Sequence, residues 1–400
     1  MSAPHVDCDI AIVGGGPVGA ALALALGDYD SGRDTGDNPL RIIVLEARAK
    51  VSTGADDPRP IALSYGSGLL LERLGAWRGL HPTAIKNIHV SQRGGFGRAA
   101  LSAVDIGVPA LGYVVDYNQI FNTLAETAYT AYGGDYRVRA RATALHRDGE
   151  FQRIDYTLDG TPASLSARLV VVADGGDIAG LAPPKIIDYA QHAVTARVST
   201  TLPHKHVAYE RFTPEGPLAL LPFGEEMALV WTLPPARAQA LKEADTKTFL
   251  AALRDAFGGR LGDFNSVTQR ACYPLTLRYA AEPSASDVLS VVTIGNAAQT
   301  LHPVAGQGFN LGLRDAWELA QFLRTLSPQA LTNNASLRRY RASRRIDRMA
   351  SIAATHGLVR LFSNDFFPAT VARGVGMTVL GCIAPVKNLV ARRMIFGTHG

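Results

Sequence analysis

Cysteine is scarce in this sequence, and long runs of one charge are missing from it. Three cysteines occur in 400 residues: Cys8, Cys272 and Cys382. Their wide spacing fits neither a disulfide framework nor a CxxC metal site, so we expect no metal and a reducing, cytoplasmic compartment. No run of five or more Lys or Arg occurs, and no basic motif is interleaved with aromatic residues. Nucleic acid is therefore not an expected partner.

An uninterrupted apolar segment of roughly 20 residues, the length that crosses a bilayer, is also missing. Residues 10–27 are apolar, but Asp7 and Asp9 precede them and glycines break them, so they are not expected to be an export signal. Residues 371–386 are apolar but contain Arg373 and three glycines. We expect this C-terminal stretch either to touch a membrane or a partner protein, or to pack on the rest of the chain.

The pattern of apolar residues predicts two kinds of sheet. With 47% hydrophobic and 19% charged residues, the composition is that of a folded globular protein of about two domains. Continuous apolar runs predict buried strands of a parallel sheet; they lie at 9–13, 41–46, 169–173 and 288–294. Short alternating segments predict an inserted antiparallel sheet; they lie at 193–200, 207–212, 218–222 and 227–231. Helices are predicted at 17–26, 114–131 and 246–257, from Gly308 onwards, and over most of the chain after residue 336.

A glycine-rich turn joins the first predicted strand to the first predicted helix. Gly14, Gly16 and Gly19 form a GxGxxG motif after a buried strand, and Gly15 and Pro17 complete the turn. The first glycine permits the tight turn, the second admits a pyrophosphate to the backbone, and the third lets helix and strand pack closely. Glu46 ends the second strand, where a carboxylate binds ribose hydroxyls. The opening therefore predicts a dinucleotide site, with the polar segment 28–39 as a surface insertion.

A second glycine-rich stretch follows the last predicted strand. Gly295 and Asn296 end that strand, His302 and Pro303 lie in the loop, and a helix opens with the sequence GQGFN, residues 306–310. Such a loop directs backbone N–H groups and the positive end of a helix at one point. A flat, electron-rich group such as an isoalloxazine ring fits this environment.

These motifs together resemble the para-hydroxybenzoate-hydroxylase-like flavoprotein monooxygenases. The resemblance rests on the glycine-rich opening, on Asp174-Gly175 after a buried strand, and on the late Gly-Asn, His-Pro and Gly-Gln-Gly-Phe-Asn elements. Within this group the sequence most resembles the ubiquinone-biosynthesis hydroxylases, in particular those that act on 2-polyprenyl-6-methoxyphenol. The supporting stretches are RPIAL at 59–63, ERFT at 210–213 and YPL at 273–275. The likeness covers essentially the whole chain.

The resemblance implies an α/β fold: a Rossmann-like FAD-binding domain of the GR2/para-hydroxybenzoate-hydroxylase type, an inserted antiparallel β-sheet substrate domain and a helical C-terminal region. The FAD-binding domain is expected at residues 1–84, 110–183 and 274–335. The substrate domain is expected at 85–109 and 184–273, and the helical region at 336–400. The pocket is expected between the flavin and the inserted sheet, with residues 218–223 and 227–231 as candidate lining.

The resemblance also implies which residues contact FAD. Arg59 is expected near the pyrophosphate or ribityl chain, Asn118 or Gln119 against the flavin, and Asn296 in place of the usual ribityl-binding Asp. The expected cofactor-binding residues are Gly14, Gly15, Gly16, Pro17, Gly19, Glu46, Arg59, Asn118, Gln119, Asp174, Asn296, Gly306, Gln307, Gly308 and Asn310. Pro303 is expected to border the reactive face. His302 is the acid–base candidate, with a purely structural hydrogen-bonding role as the alternative.

The implied activity is hydroxylation of a polyprenylated phenol by FAD, with NAD(P)H as hydride donor and O₂ as co-substrate. Ile178 and Leu181 stand where the family usually has Ser and Arg, so the choice of NADH or NADPH stays open. Two alternatives also stay open: another flavoenzyme of this fold (a different ring position, or an isoprenoid reductase) and a non-catalytic flavin-bound scaffold. The partners to consider are the surface of the inner membrane, to which the protein would bind peripherally, a quinone-biosynthesis protein complex and further copies of the same chain in a homo-oligomer.

Overall fold

A computed structural model gives the fold and describes most of the chain. The described residues are 6–27, 40–49, 59–175, 178–280, 290–300, 307–333, 335–344 and 383–396, with 374, 376 and 378. The predicted loop at 28–39 and the first two residues of the predicted strand 288–294 lie outside this set. Within it, no helix combines the length and apolarity needed to cross a bilayer.

The strands and helices are numbered separately, each in chain order. The strands are β1 Cys8–Val13, β2 Ile42–Leu45, β3 Pro60–Ser64, β4 Thr83–Ile85, β5 Asn87–Gln92, β6 Arg98–Ser102, β7 Gly112–Asp116, β8 Tyr136–Arg137, β9 Ala140–Asp148, β10 Phe151–Leu158, β11 Thr161–Val172, β12 Lys185–Thr200, β13 Val207–Thr213, β14 Gly216–Phe223, β15 Glu226–Leu233, β16 Phe264–Tyr279, β17 Val291–Thr293 and β18 Gln299–Thr300. The α-helices are α1 Pro17–Gly27, α2 Tyr65–Arg73, α3 Ala103–Ile106, α4 Tyr117–Tyr132, α5 Pro235–Glu243, α6 Thr246–Phe257, α7 Gln307–Leu323 and α8 Ala384–Phe396. Short 3₁₀ helices cover Gly133–Asp135, Gly295–Ala297 and Pro328–Thr332.

The first sheet has a parallel centre built from the predicted buried strands. Strand β1 lies between β2 and β11, and β17 pairs with the end of β11, all in parallel. Strand β8 extends one side of the sheet, and β10 and β9 form an antiparallel extension on the other. Ile10 and Ile12 pack with α1, α4 and α7 on one face, whereas Ala11 and Val13 pack toward β9 and β10 on the other. Both faces are covered, which explains the unbroken apolar runs. The predicted βαβ opening is confirmed.

In the described part of the chain, the second sheet has eight strands in the order β18-β16-β12-β15-β14-β13-β5-β6. All neighbours are antiparallel except β13 and β5, which run parallel. One face packs against α5 and α6 and contains Leu220 and Trp231. The opposite face contains Ala208 and Leu221, and it packs on Val114 in a small sheet of order β3-β7-β4. The predicted α/β fold with an added antiparallel sheet is confirmed.

Two sequence predictions need correction here. Of the candidate pocket lining, Leu218, Leu220, Met227, Leu229 and Trp231 belong to the core with α5 and α6. Because side chains alternate along a strand, only the intervening positions of residues 218–223 and 227–231 point toward the small sheet.

The predicted helix 114–131 begins three residues too early, because residues 114–116 form the end of β7. Asp116 then begins α4, since its carboxylate accepts a hydrogen bond from Asn118 N at 2.9 Å. A β-branched Val-Val pair before a capping Asp favours a strand followed by a helix start.

Two arginine contacts connect the second sheet to the rest of the chain. Arg197 on β12 lies 3.2 Å from the Asp116 carboxylate, and its guanidinium lies 4.4 Å from the centroid of the Phe223 ring. The Arg59 guanidinium lies 4.8 Å from the centroid of the Tyr273 ring on β16. Asp116 therefore has two roles, because one carboxylate oxygen caps α4 while the other pairs with a cation of the second sheet.

We expect the two roles of Asp116 to be separable by substitution. Asp116→Ala removes both the helix cap and the ion pair, and should lower the free energy of unfolding by about 2–3 kcal/mol. Asp116→Asn keeps a good N-cap and removes only the charge, so its loss should be about 1 kcal/mol. Urea unfolding of both variants measures the difference. Equal losses in the two variants would show that the cap contributes nothing.

Candidate functional site

Four parallel strands of the first sheet end at one edge. Gly14 N donates to Leu45 O at 2.8 Å, which joins the end of β1 to the end of β2. Ala173 N donates to Val13 O at 2.7 Å, and Ile294 N donates to Val172 O at 3.0 Å. These bonds bring together the segments that follow β1, β2, β11 and β17. In open α/β sheets, ligands bind at the carboxyl ends of the strands.

The glycine turn after β1 is packed tightly on one side and open on the other. Gly14 has a φ of +100°, and a Cβ there would lie 2.7 Å from the backbone of Asp174. A Cβ on Gly19 would lie 1.9 Å from Gly14 O, so the helix could not pack on the turn. A Cβ on Gly16 would meet no atom within 4 Å. Gly14 and Gly19 are therefore required by packing, whereas Gly16 borders open space that a ligand can fill.

A tyrosine that was not predicted from the sequence forms a hydrogen bond with the backbone of the glycine turn. The hydroxyl of Tyr136, the first residue of β8, donates to Gly15 O at 2.7 Å. Burial raises the pKa of the Tyr136 phenol above its ordinary value, so the group stays protonated and remains a donor. Glu46 is buried beside Gly15, and its carboxylate accepts a hydrogen bond from Arg48 N at 2.8 Å. The predicted ribose-binding carboxylate thus has a fixed place next to the turn.

The second glycine-rich segment meets the first around one side chain. Val18, in the first turn of α1, lies 3.0 Å from where a Cβ on Gly295 would stand. A Cβ on Gly312, in α7, would lie 2.8 Å from Val18. Helix α7 therefore starts against the start of α1 because two glycines leave room for one valine. The contact through Val18 was not predicted from the sequence, since Val18 belongs to no recognised motif.

Asn310 fastens the first turn of α7 to β3. Its side chain is only 2% exposed. Its amide oxygen accepts a hydrogen bond from Ser64 N at 2.8 Å, and its amide nitrogen donates to Ala62 O at 2.9 Å. Both ends of the amide therefore bond to the backbone of the β3 segment. The structure gives Asn310 a positioning role, and its direct contact with a cofactor stays a prediction.

The other predicted site residues differ in their surroundings. Asp174 stands two residues after the end of β11, with its backbone packed against Gly14, and Asn296 is exposed in the turn after β17. The Gln119 amide oxygen accepts a hydrogen bond from His81 N at 3.0 Å, and Arg59 lies against Tyr273. Their contacts with a cofactor stay predictions. His302, Pro303 and Gly306 lie outside the described residues, and only the backbone of Gln307 is described.

An apolar recess lies beside Asn310, at the start of α7. It is open to solvent and small, with an enclosed volume of about 70 Å³. Three groups of side chains line it: β3 and β7 on one side, Ile88 and Leu101 of β5 and β6 on another, and Ala391 and Ile395 of α8 on the third. Such a lining suits a hydrocarbon group. Among the described residues, no cluster of three or more His, Cys, Asp or Glu side chains could hold a metal ion.

A carboxylic acid lies on the face of the second sheet that is turned toward the small sheet. Glu210 on β13 shares this face with Ala208, which packs against Ile85 and Val114. Burial raises the pKa of the Glu210 carboxyl to about 7. Within the described part of the chain, the Glu210 carboxylate has no hydrogen-bond or ion-pair partner. A partly buried acid of this kind can change protonation state near neutral pH.

Comparison with known proteins places the chain among flavoproteins. The profile of a family described as FAD binding domain matches residues 7–350. The ubiquinone hydroxylase UbiL of Rhodospirillum rubrum is 34% identical over 403 residues, which cover 96% of this chain and 88% of that protein. The 3-demethoxyubiquinol 3-hydroxylase of Escherichia coli is 30% identical over 391 residues, which cover 92% and 93% of the two chains.

A solved structure shows the same fold. The crystal structure of the p-nitrophenol 4-monooxygenase PnpA from Pseudomonas putida DLL-E4 superposes with a TM-score of 0.74. The superposition covers 99% of this chain and all of that one, at 18% sequence identity. At this identity the likeness shows the fold alone.

The raised pKa of Glu210 predicts a dependence of stability on pH. The pKa of its carboxyl is about 7 in the folded chain and about 4.3 in the unfolded chain. The contribution of the protonated carboxyl to the free energy of unfolding is therefore complete below about pH 4.3 and is lost as the pH rises through about 7. Glu210→Gln avoids this loss. We compare the free energy of unfolding of the variant with that of wild type at each pH. From pH 5 to pH 8 this difference should grow in favour of the variant by about 1–3 kcal/mol, after allowance for partial exposure.

Urea unfolding at the two pH values tests this expectation. The control is Glu225→Gln, in the exposed turn between β14 and β15, which should leave the pH dependence unchanged. If wild type and Glu210→Gln give parallel stability curves from pH 5 to pH 8, the carboxyl is not perturbed by burial.

Proposed function

Because the chain belongs to the FAD binding domain family of flavoprotein monooxygenases, we propose that it hydroxylates the ring of a polyprenylated phenol in ubiquinone biosynthesis. The specific reaction proposed is hydroxylation of 2-polyprenyl-6-methoxyphenol, which rests on the sequence resemblance. Relatives at 30–34% identity are named for hydroxylation of ubiquinone and demethoxyubiquinol, which supports the substrate class. The ring carbon and the length of the prenyl chain are for experiment to assign.

The observation that carries the proposal is the meeting of two glycine-rich helix starts at the strand ends of the first sheet. The space in front of Gly16 and Gly308 is open, since a Cβ on either glycine would meet no atom of the described chain within 4 Å. At the same point, a Cβ on Gly14 or Gly19 would clash with backbone atoms, and a Cβ on Gly295 or Gly312 would press on Val18. An extended dinucleotide fits an edge that is rigid behind and open in front.

The residues present fit FAD at both of its ends. The first turn of α1 would bind the pyrophosphate through backbone N–H groups, and Glu46 would bind the ribose hydroxyls. Arg59 and Asn296 would serve the pyrophosphate and ribityl chain, and an amide can replace a carboxylate there because it still bonds to hydroxyls. The start of α7 would stabilise negative charge on the reduced ring. When bound, FAD supplies the redox chemistry between NAD(P)H, O₂ and the phenol ring.

The chain's own contribution to the reaction is positioning and exclusion of water. Asn310 fixes the start of α7 through β3, so the helix end keeps a constant place relative to the strand ends. The apolar recess next to it would hold the hydrocarbon part of the substrate and keep water away from the reacting centre. Pro303 and His302 are proposed at the reactive face, with His302 as the acid–base group or as a structural hydrogen bonder.

Product analysis under ¹⁸O₂ tests the proposed reaction. The purified, FAD-loaded protein is mixed with NADH or NADPH and a short-chain 2-prenyl-6-methoxyphenol, and the product is identified by mass spectrometry. We expect one labelled oxygen on the ring and bleaching of the flavin absorbance before oxygen is admitted. A reduced isoprenoid without label would assign a reductase instead. Flavin that neither nucleotide bleaches, even with the phenol present, would assign a non-catalytic scaffold.

We expect Gly16→Ala to separate cofactor binding from folding. The new methyl group meets no protein atom, so the free energy of unfolding of the FAD-free protein should change by less than about 1 kcal/mol. It occupies the space in front of the turn, so the Kd for FAD should rise about tenfold or more. Titration followed by flavin fluorescence measures the Kd.

Gly134→Ala is the matched control for this substitution. It also adds a methyl group in open space, but in the 3₁₀ helix after α4, away from the strand ends. Its Kd for FAD should equal that of wild type. Unchanged FAD affinity in Gly16→Ala would place the pyrophosphate elsewhere and remove the basis of the proposal.

A further inference from the structure

A row of four side chains crosses the face of the second sheet that is turned toward the small sheet. Glu210 on β13 stands opposite Val90 on β5 and opposite Ala219 on β14. Ala219 in turn stands opposite Val230 on β15. Residues that stand opposite each other on paired strands point to the same face of a sheet. All four are half-buried. We call Val90, Glu210, Ala219 and Val230 the Glu210 strip.

The rows on either side of the Glu210 strip have different surroundings. The row that contains Ala208 packs under the small sheet. In the row on the other side, Ala193 on β12 stands opposite Thr232 on β15 and opposite Tyr273 on β16. Arg59, the residue expected beside the cofactor, lies against the Tyr273 ring. The strip therefore lies between the covered part of the sheet and the expected position of FAD.

The carboxyl of Glu210 is the polar group of the strip. Its neighbours in the row are the methyl group of Ala219 and the isopropyl groups of two valines. Within the described part of the chain, the carboxylate has no hydrogen-bond or ion-pair partner. An ionised carboxylate in apolar surroundings costs free energy unless a donor reaches it. The strip thus contains an acceptor that the hydroxyl group of a ligand can satisfy.

Charged groups on the neighbouring elements lie away from the Glu210 carboxyl. Strands β5 and β14, which pair with β13, contain no Lys, Arg, Asp or Glu. On the same face, Arg197 lies three strands away and pairs with Asp116 of the small sheet, and Glu226 lies one row further along. Arg98 on β6 points to the opposite face. Burial is the cause that raises the pKa of the Glu210 carboxyl to about 7.

We propose that Glu210 binds the ring hydroxyl of the phenol substrate: the carboxylate accepts the hydrogen bond of the hydroxyl group while the aromatic ring lies on the strip. The class of ligand in this inference rests on the proposed function. The ordinary pKa of a phenol is about 10, so the hydroxyl group keeps its proton at neutral pH and is the donor. Because the other side chains of the strip are small and apolar, a flat ring can cover the carboxylate and exclude water from it. A hydrogen bond to a charged acceptor is about twice as strong as one between neutral groups.

The apolar recess at the start of α7 adjoins the strip and would orient the ring. Ile88, which lines the recess, stands on β5 two positions from Val90, about 7 Å along the strand. Leu101 on β6 stands opposite Ile88 and lines the recess as well. A phenol held at Glu210 by its hydroxyl group can therefore place the hydrocarbon chain of the adjacent ring carbon in the recess.

Calorimetric titration of the full-length, FAD-loaded protein without nucleotide tests the proposal. The two ligands are a short-chain 2-prenyl-6-methoxyphenol and the 3-prenylanisole that lacks its hydroxyl group. Wild type should bind the phenol about tenfold more tightly than the anisole. Glu210→Leu should bind the two equally, and Glu210→Gln should keep a preference of about threefold, because an amide oxygen still accepts a hydrogen bond. The comparison of two ligands in one variant cancels general effects of the substitution on packing.

The pH dependence of binding separates contact with the carboxylate from a structural role. The wild-type affinity for the phenol should rise about fivefold from pH 6 to pH 8, since the ionised fraction of Glu210 grows as the pH passes about 7. In Glu210→Gln the affinity should stay level over this range. Affinity for the anisole should stay level in both proteins.

A second substitution tests the place of the ring without changing a charge. Ala219→Leu fills the middle of the strip and should weaken binding of both ligands about tenfold. Ala100→Leu is its matched control, because Ala100 is exposed on β6 and points to the opposite face of the same sheet. Glu225→Leu, in the exposed turn between β14 and β15, is the control for Glu210→Leu. Both controls should bind like wild type, and the FAD absorbance and melting temperature of each variant show that it is folded.

Four results would overturn the inference. They are a preference for the phenol that persists in folded Glu210→Leu, a wild-type affinity that stays level or falls from pH 6 to pH 8, undiminished binding of both ligands by Ala219→Leu, and wild type that binds neither ligand. Failure of the proposed function has a different signature. Wild type that prefers the phenol through Glu210 but forms no labelled product under ¹⁸O₂ would leave Glu210 as a binding residue and remove the hydroxylase assignment.

Discussion

The closest approach at the candidate site is between a glycine of α1 and the turn that precedes it. A Cβ on Gly19 would lie 1.9 Å from Gly14 O, so α1 rests directly on the backbone of the turn. Val18, the preceding residue, then reaches the gap left by Gly295 and Gly312, and through them α7 takes its place. Asn310 then fixes α7 relative to β3 through two hydrogen bonds to the β3 backbone. The positions of the starts of α1 and α7 relative to the ends of β1, β17 and β3 thus depend on the lack of side chains at a few glycines.

The sequence predicted the parallel sheet better than the antiparallel one, for a physical reason. Strands covered on both faces have unbroken apolar runs, and β1, β2 and β11 were found on that basis. Along β14 and β15, alternate side chains face α5 and α6 on one side and the small sheet on the other, and alternation alone does not say which side contains the site. Residues 218–223 and 227–231 were therefore assigned to the pocket, whereas half of them pack on α5 and α6.

The candidate site was predicted where its chemistry is in the backbone, and missed where it depends on contacts between distant side chains. Gly14, Gly16 and Gly19 are recognisable because their spacing has a steric cause. Tyr136 has no local signal: its hydroxyl reaches Gly15 only after β8 joins the edge of the sheet. The start of α4 at Tyr117 needed the capping role of Asp116 to be recognised. The limits of the domains stay a prediction, and β16 extends beyond the expected limit at 273.

The parallel pairing of β5 with β13 in the second sheet has a consequence during synthesis. Strand β5 emerges from the ribosome early but pairs with β13, from Asn87↔Val207 onward, roughly 120 residues later. Until then the edge of β5 that later meets β13 is unpaired, and the apolar side of the β5–β6 hairpin, which includes Ile88 and Leu101, is uncovered. Contacts this distant in sequence form slowly, and unpaired edges attract other chains. The nascent protein therefore passes through a stage in which this edge and this apolar side are exposed to other chains.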